Sequence, residues 1–181
     1  MKKLIKILLI TIICIGFSAA LLAQDKGSLS PSIAVSKEAK ARLKTVRNIA
    51  VFLSGNDSLL TRIVEDVLAI HLTNAGFAVI NREMLEKNVG EQVAKMKKEK
   101  TEGAINALEI GVAVNADAIL TGTMIIESGE QKALLIKVAS FQLVDVASGK
   151  TLINVLFEAE KGRPLSETAK GFVDIVKRNV D

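Results

Sequence analysis

The sequence predicts a single α/β domain built on a mixed sheet of about five strands, in the order β-α-β-α-α-β-β-β-α. Three observations carry this. A nearly continuous apolar run, Val46 to Leu53, leads into an amphipathic helical stretch and then a second, short apolar run. Ala116 to Ile126 is an apolar segment with small residues flanking Asp117 and at Gly122, a central strand that ends at the turn-like Glu127-Ser128-Gly129-Glu130. Two long strand-like runs and a helical stripe follow with short connections, so the chain stops alternating helix with strand and becomes a meander.

Residues 1–23 stand apart from the fold. Met1 to Lys6 is a positive n-region, Ile7 to Leu22 an apolar h-region, and Leu21-Leu22-Ala23 a cleavage site before Gln24. This pattern predicts a secretory signal peptide and delivery across the inner membrane to the periplasm, with association at the outer membrane a further option. Leu21 is larger than the residue usually wanted three positions before the cut. An uncleaved inner-membrane anchor is the alternative, on a run short for the ~20 residues of a span. The formal charge of +4 becomes +1 once Lys2, Lys3 and Lys6, and no acid, are removed. The basicity is a targeting signal, and no nucleic-acid partner is expected. Six Phe with no Trp or Tyr also leave little with which to stack bases. Cys14 is the only cysteine and lies in the h-region behind Ile13, so neither a lipidation site nor a disulfide framework is expected.

Residues 24–45 read as a linker or arm. Gln24 to Ser36 is small and polar with Pro31, and Lys37 to Lys44 is either a short basic helix or more of the arm. The folded domain is expected to span 46–181. Its first strand, Val46 to Leu53, has the unbroken apolar character of a strand covered on both faces. Ser54-Gly55-Asn56-Asp57 is a turn able to cap the helix Ser58 to Ala75. On that helix Leu60, Ile63, Val64, Val67, Leu68, His71 and Ala75 form the inward stripe, with Arg62, Glu65, Asp66 and Thr73 outward. Gly76 suits a left-handed cap, and Phe77 to Ile80 makes a short strand parallel to the first.

A second helical region opens at Asn81-Arg82 and ends in the charged cluster Lys95 to Lys100, whose lysines suit a helix C-terminus. Thr101 to Val114 is another helix, weakened by Gly103 and Gly111. Lys132 to Val144 is apolar on both alternating faces, with Leu135, Ala139, Phe141 and Leu143 on one and Leu134, Ile136, Val138 and Val144 on the other. It fits an interior strand. Asp145 to Lys150 is a hairpin connection in which Asp145 bonds the turn backbone and Gly149 takes positive φ. Thr151 to Ala159 alternates as an edge or half-covered strand. Ser166 then caps a helix with Ala169, Phe172, Val173, Val176 and Val180 in a stripe.

No catalytic constellation is visible. The single histidine, His71, sits in an apolar stripe with no ligand set near it in sequence. Ser148-Gly149-Lys150-Thr151 imitates the end of a phosphate loop, but Val144 stands where the first glycine belongs and a strand follows. Glu65, Asp66 and Glu109 fall on expected surfaces. No catalytic residue, cofactor or metal is therefore expected, and the chain reads as a non-enzyme.

Four stretches carry a family resemblance: Ile49-Ala50-Val51-Phe52, Ala75-Gly76-Phe77-Ala78-Val79-Ile80-Asn81-Arg82, Ala116 to Gly122, and Leu143 to Lys150. In this order they resemble the curli-secretion lipoprotein (CsgG) family. Its relatives include the outer-membrane activators of penicillin-binding proteins (LpoB) and the N-terminal domain of the Tol-system protein TolB. The resemblance covers about residues 46–160 and implies an anticodon-binding-like α/β domain, no enzymatic activity, and docking onto other envelope proteins. It further implies structural motif roles for Arg82 at a strand end and helix start, Asp117 and Gly122 in the central strand, and Asp145 with Gly149 in the hairpin.

Two departures limit it. The link from Ile126 to Lys132 is far too short for membrane-spanning hairpins of ~9–11 residues per strand, so this chain alone is expected to form no pore. No lipobox cysteine is present. The resulting expectation is an accessory protein that binds another envelope component in envelope assembly, secretion or activation of a peptidoglycan synthase, with a homo-oligomer allowed. A ring-forming subunit of a surface-export or motility assembly is the alternative, and an unrecognised hydrolase the third.

Overall fold

The computed structural model describes residues 30–81, 83–84, 87, 107–128 and 134–180. Among these residues six strands form one mixed sheet: β1 (Ser32–Val35), β2 (Asn48–Gly55), β3 (Ala78–Ile80), β4 (Ala118–Ser128), β5 (Leu134–Asp145) and β6 (Thr151–Pro164). The helices are α1 (Ala39–Leu43), α2 (Ser58–Asn74), α3 (Ala107–Ala113) and α4 (Leu165–Val180). The strand order is β1-β6-β5-β4-β2-β3. β2 runs parallel to β3 and to β4, whereas β4, β5, β6 and β1 are successively antiparallel. The alternating half and the meander meet at β4, as the apolar run around Asp117 predicts. The leader, the helical region beyond Asn81 apart from helical Glu83, Met84 and Lys87, and the cluster at 95–100 lie outside the described residues, as do Gly129 and Glu130 of the expected turn, whose Glu127 and Ser128 belong to β4 instead.

Strand alternation sorts the core onto two faces. Ile49, Val51 and Leu53 of β2, Ala118 and Leu120 of β4, Phe141 and Leu143 of β5, and Ile153, Val155 and Phe157 of β6 pack under α1, α2 and α4. The Phe141 ring meets Phe157 edge-on at 6.0 Å and Phe172 of α4 at 5.4 Å, which ties the last helix to the meander. On the opposite face Ala50, Ile119 and Val144 pack with Ile110 of α3 and Ala116. Among the described residues that second layer covers one end of the sheet.

Four expectations are corrected. The stretch 32–45 is not an arm: β1 pairs with β6 in the register Ile33 to Val155, and the short-helix alternative for 37–44 holds as α1, whose Ala39 and Leu43 are buried with Val46. β6 is accordingly interior, giving six strands where five were expected. In β5, Ile136 joins the core face with Ala139 and Phe141, because the register shifts at Lys137 and resets the alternation. Finally, the buried face of α2 is Thr61, Val64, Glu65, Leu68 and Leu72. The helix is turned by about one residue relative to the predicted stripe, so Ile63 faces solvent, Val67 and His71 are half-buried, and Glu65 is inside. Val64 and Leu68 belong to both stripes, and tertiary packing with the Glu65–Leu53 hydrogen bond sets the helix on the less apolar one.

Candidate functional site

The predicted motif residues are distributed along the sheet and do not converge on one cavity. Asp117 precedes β4, and its Oδ2 accepts from the backbone N–H of Arg47 (2.8 Å) and of Asn48 (2.9 Å) at the start of β2. Those bonds, Asn48 first, hold its carboxyl below the ordinary carboxylate pKa. The same peptide returns the contact, since Asp117 N–H donates to the Asn48 carbonyl at 3.0 Å. Gly122 lies where β4 and β5 approach so closely that a Cβ would collide with the Ser140 carbonyl oxygen. Arg82 is outside the described residues.

Asp145 and Gly149 shape the hairpin. The Asp145 Oδ2 accepts from Ser148 N–H (3.0 Å) and Oγ (2.6 Å), and Oδ1 accepts from Arg42 Nε at 2.6 Å. Burial pushes this carboxyl up, but the Ser148 hydroxyl, the guanidinium and the Ser148 amide outweigh it and leave the pKa lowered. Gly149 has φ +68°, the left-handed conformation the turn requires, and its N–H donates to the Asp145 carbonyl. Lys150 reaches Glu38 of the α1 cap region at 2.8 Å on the surface; that hydrogen bond lowers the Glu38 pKa and raises that of Lys150.

Two polar residues missed by sequence reasoning act in the same way. Buried Glu65 accepts from Leu53 N–H at 2.7 Å. Asn56, in the turn after β2, exchanges two bonds with the Ile126 backbone, at 3.0 and 3.1 Å, beside the irregularity of β4. The signal for Glu65 was its four-residue spacing from Thr61, three positions ahead of Leu68. For Asn56 only its turn position hinted at a role. His71 lies in the last turn of α2, half-buried, and its carbonyl accepts from Ala75 N–H.

Three surface features remain. The outer ridge of α2 exposes Leu59 (66%), Ile63 (37%) and Ile70 (59%), in line with Asp66 at steps of four, three and four. Such a run is the spacing of a helix-packing seam. Beside Ile70, Ala69, Thr73 and Asn74 of α2 with Val79 and Asn81 at the β3 edge line a groove of about 320 Å³. On the open sheet face, Phe52, Ser54, Thr121, Thr123, Ser140 and Gln142 line a shallow recess of about 450 Å³ without a charged side chain. Among the described residues no group of three His, Cys, Asp or Glu could hold a metal ion, and no helix is long and apolar enough to cross a membrane.

No protein-family model and no curated protein matches this chain by sequence. Solved structures do. A PelC dodecamer from Paraburkholderia phytofirmans is similar at 15% identity with a TM-score of 0.52, covering 83% of this chain and 96% of that one. The lipoprotein GNA1162 from Neisseria meningitidis gives 19% identity and a TM-score of 0.41 over 72% of this chain and 94% of its own. The LpoB C-terminal domain from Salmonella enterica gives 18% and 0.39 over 62% and 83%. At these identities the shared property is the fold, and the PelC protomer is the likeness that carries it.

Proposed function

We propose that this chain is a non-enzymatic accessory module of the cell envelope that docks onto another envelope protein. The observation that carries the reading is the outer ridge of α2. Three large apolar side chains stand in line on a rigid 17-residue helix, where burial against a partner would remove them from water. Glu65 and the motif carboxylates Asp117 and Asp145 bind backbone amides or turn residues, which suits scaffolding. The signal-peptide pattern and the motif resemblance support the envelope setting, and the activation of a peptidoglycan synthase is one form the docking would take.

A photo-crosslinking residue at Leu59, with mass spectrometry of the adduct from intact cells, tests the reading. The expected product is one dominant envelope protein, lost when Ile63→Asp is added to a chain that still melts normally. An unchanged adduct would refute the ridge as the docking face, and a turnover abolished by His71→Leu would refute the non-enzymatic assignment.

A second reading is a ring-forming structural subunit. The fold likeness to the PelC protomer, whose solved assembly is a dodecamer, favours it, as do the edge strands β1 and β3, which pair with one neighbour each among the described residues.

A further inference from the structure

A ring-forming subunit needs a specific contact between copies, and the sheet edges supply one; this contact rests on the ring-forming reading. The two edges, β1 and β3, differ in a complementary way. β1 presents a knob: Ile33 lies on the same sheet face as Val155 and the helices, yet it is 46% exposed, with no element among the described residues over that corner. β3 presents a hole. Val79 pairs with Ile49 and so lies on that same helix-bearing face, and the groove formed by Val79, Asn81, Ala69, Ile70 and Thr73 opens beside it.

We propose that β1 of one copy adds antiparallel to β3 of the next, with Ile33 opposite Val79 and its side chain in the groove under Ile70. The orientation follows from the sheet. β3 runs with β2, β4 and β6, and β1 runs against them, so a neighbour placed with its helices on the same side presents β1 antiparallel to β3. The alternation also agrees: Ile33 and Val79 both face the helices, so the pairing continues one apolar layer across the joint.

Charge fits the same register. With Ile33 opposite Val79, the incoming chain runs toward Ala75, which brings Lys37 to the C-terminal end of α2. Lys37 and Lys40 are exposed, and the end of α2 has carbonyl groups and no lysine or arginine in its last turn. A cation there is favoured by the helix dipole. The two surfaces are different patches of one chain. The contact is therefore head-to-tail, leaves one free edge at each end, and closes only as a ring.

Disulfide trapping in cells tests it on the full chain in a Cys14→Ser background. Directly opposed antiparallel residues have Cα atoms ~4.5–5.5 Å apart, within disulfide range. Ile33→Cys with Val79→Cys on one chain should give a ladder of dimers, trimers and higher species under mild oxidation. Co-expressed single-cysteine chains should stop at dimers, and each alone should give none. Adding Ile33→Lys with the cysteine pair moved to Ser32 and Ile80, opposite each other in this register, should abolish the ladder while the Leu59 adduct to an envelope partner survives. Dimers from one single-cysteine chain alone would mean a two-fold contact, and absence of any ladder would mean no edge pairing; either overturns the proposal. Loss of the Leu59 adduct with the ladder intact would instead sink the docking reading and leave this contact standing.

Discussion

The carboxylate of Glu65 takes the place of a strand beside Leu53. Among the described residues β3 ends at Ile80, opposite Ala50, while β2 runs on to Gly55. Leu53 N–H donates to Glu65 Oε1 at 2.7 Å, inside the core, where an amide would otherwise lose its water without replacement. Glu65→Ala should cost about 1–3 kcal/mol in urea unfolding, and Glu65→Gln, which keeps an acceptor, clearly less. Equal losses would show that packing volume alone matters at this site.

The Asp117 clamp gives the fold an acid limb. Its folded pKa is depressed by the amides of Asn48 and Arg47. The unfolded chain therefore binds a proton first as pH falls. The contribution is complete above the ordinary carboxylate value near pH ~4 and is lost as pH drops through the lower folded value. Asp117→Asn should lower the melting temperature at pH 7 and flatten its decline between about pH 5 and pH 2. A parallel decline in both proteins would assign the acid limb elsewhere, with Asp145 the next candidate.

The two motif glycines should respond to different extents. Gly149→Ala places a side chain at φ +68° on the surface and should cost ~1 kcal/mol, with Lys150→Ala nearly silent in the same melt. Gly122→Ala drives a methyl into the Ser140 backbone in the middle of the β4–β5 pair, where neither strand can withdraw. The expected loss is several-fold larger than at Gly149. Similar losses at the two sites would deny the close approach.

The orientation of α2 can be read from paired truncations. Leu68→Ala should cost ~2–5 kcal/mol, because Leu68 is fully buried, whereas Ile63→Ala should fall within ~0.5 kcal/mol. His71→Leu should leave the melt near neutral pH almost unchanged, since the imidazole is half-exposed at the helix end. A larger loss at Ile63 than at Leu68 would restore the stripe predicted from periodicity.

These contrasts mark where sequence suffices. β2, β4, β5 and the hairpin at Asp145 were legible because long apolar runs and turn residues are local signals. β1 was not: its four residues gain order only from β6, about 120 positions away, and no local pattern encodes a partner that distant. The ridge of Leu59, Ile63 and Ile70 was visible as apolar but read partly as core, since periodicity measures which residues avoid water and is silent on what covers them. Glu65 was placed outside because its charge outweighs its position in any hydropathy count. Arg82, quoted in the family motif, is the one such residue without a described place.

The uneven cover of the sheet's two faces among the described residues has a consequence for how this chain diverges. Under α2 and α4 every second strand residue is fixed by close packing, while across from them Thr121, Thr123, Ser140 and Gln142 line the recess beyond the layer of Ala50, Ile119 and Val144. Substitution at those alternate positions changes neither core volume nor backbone pairing, so neutral change accumulates there at little cost to folding. At that end of the strands half of the positions retain information about the fold and half are free to lose it. A chain of this design keeps its backbone recognisable beside a PelC protomer at 15% identity, well after residue-by-residue comparison has gone silent.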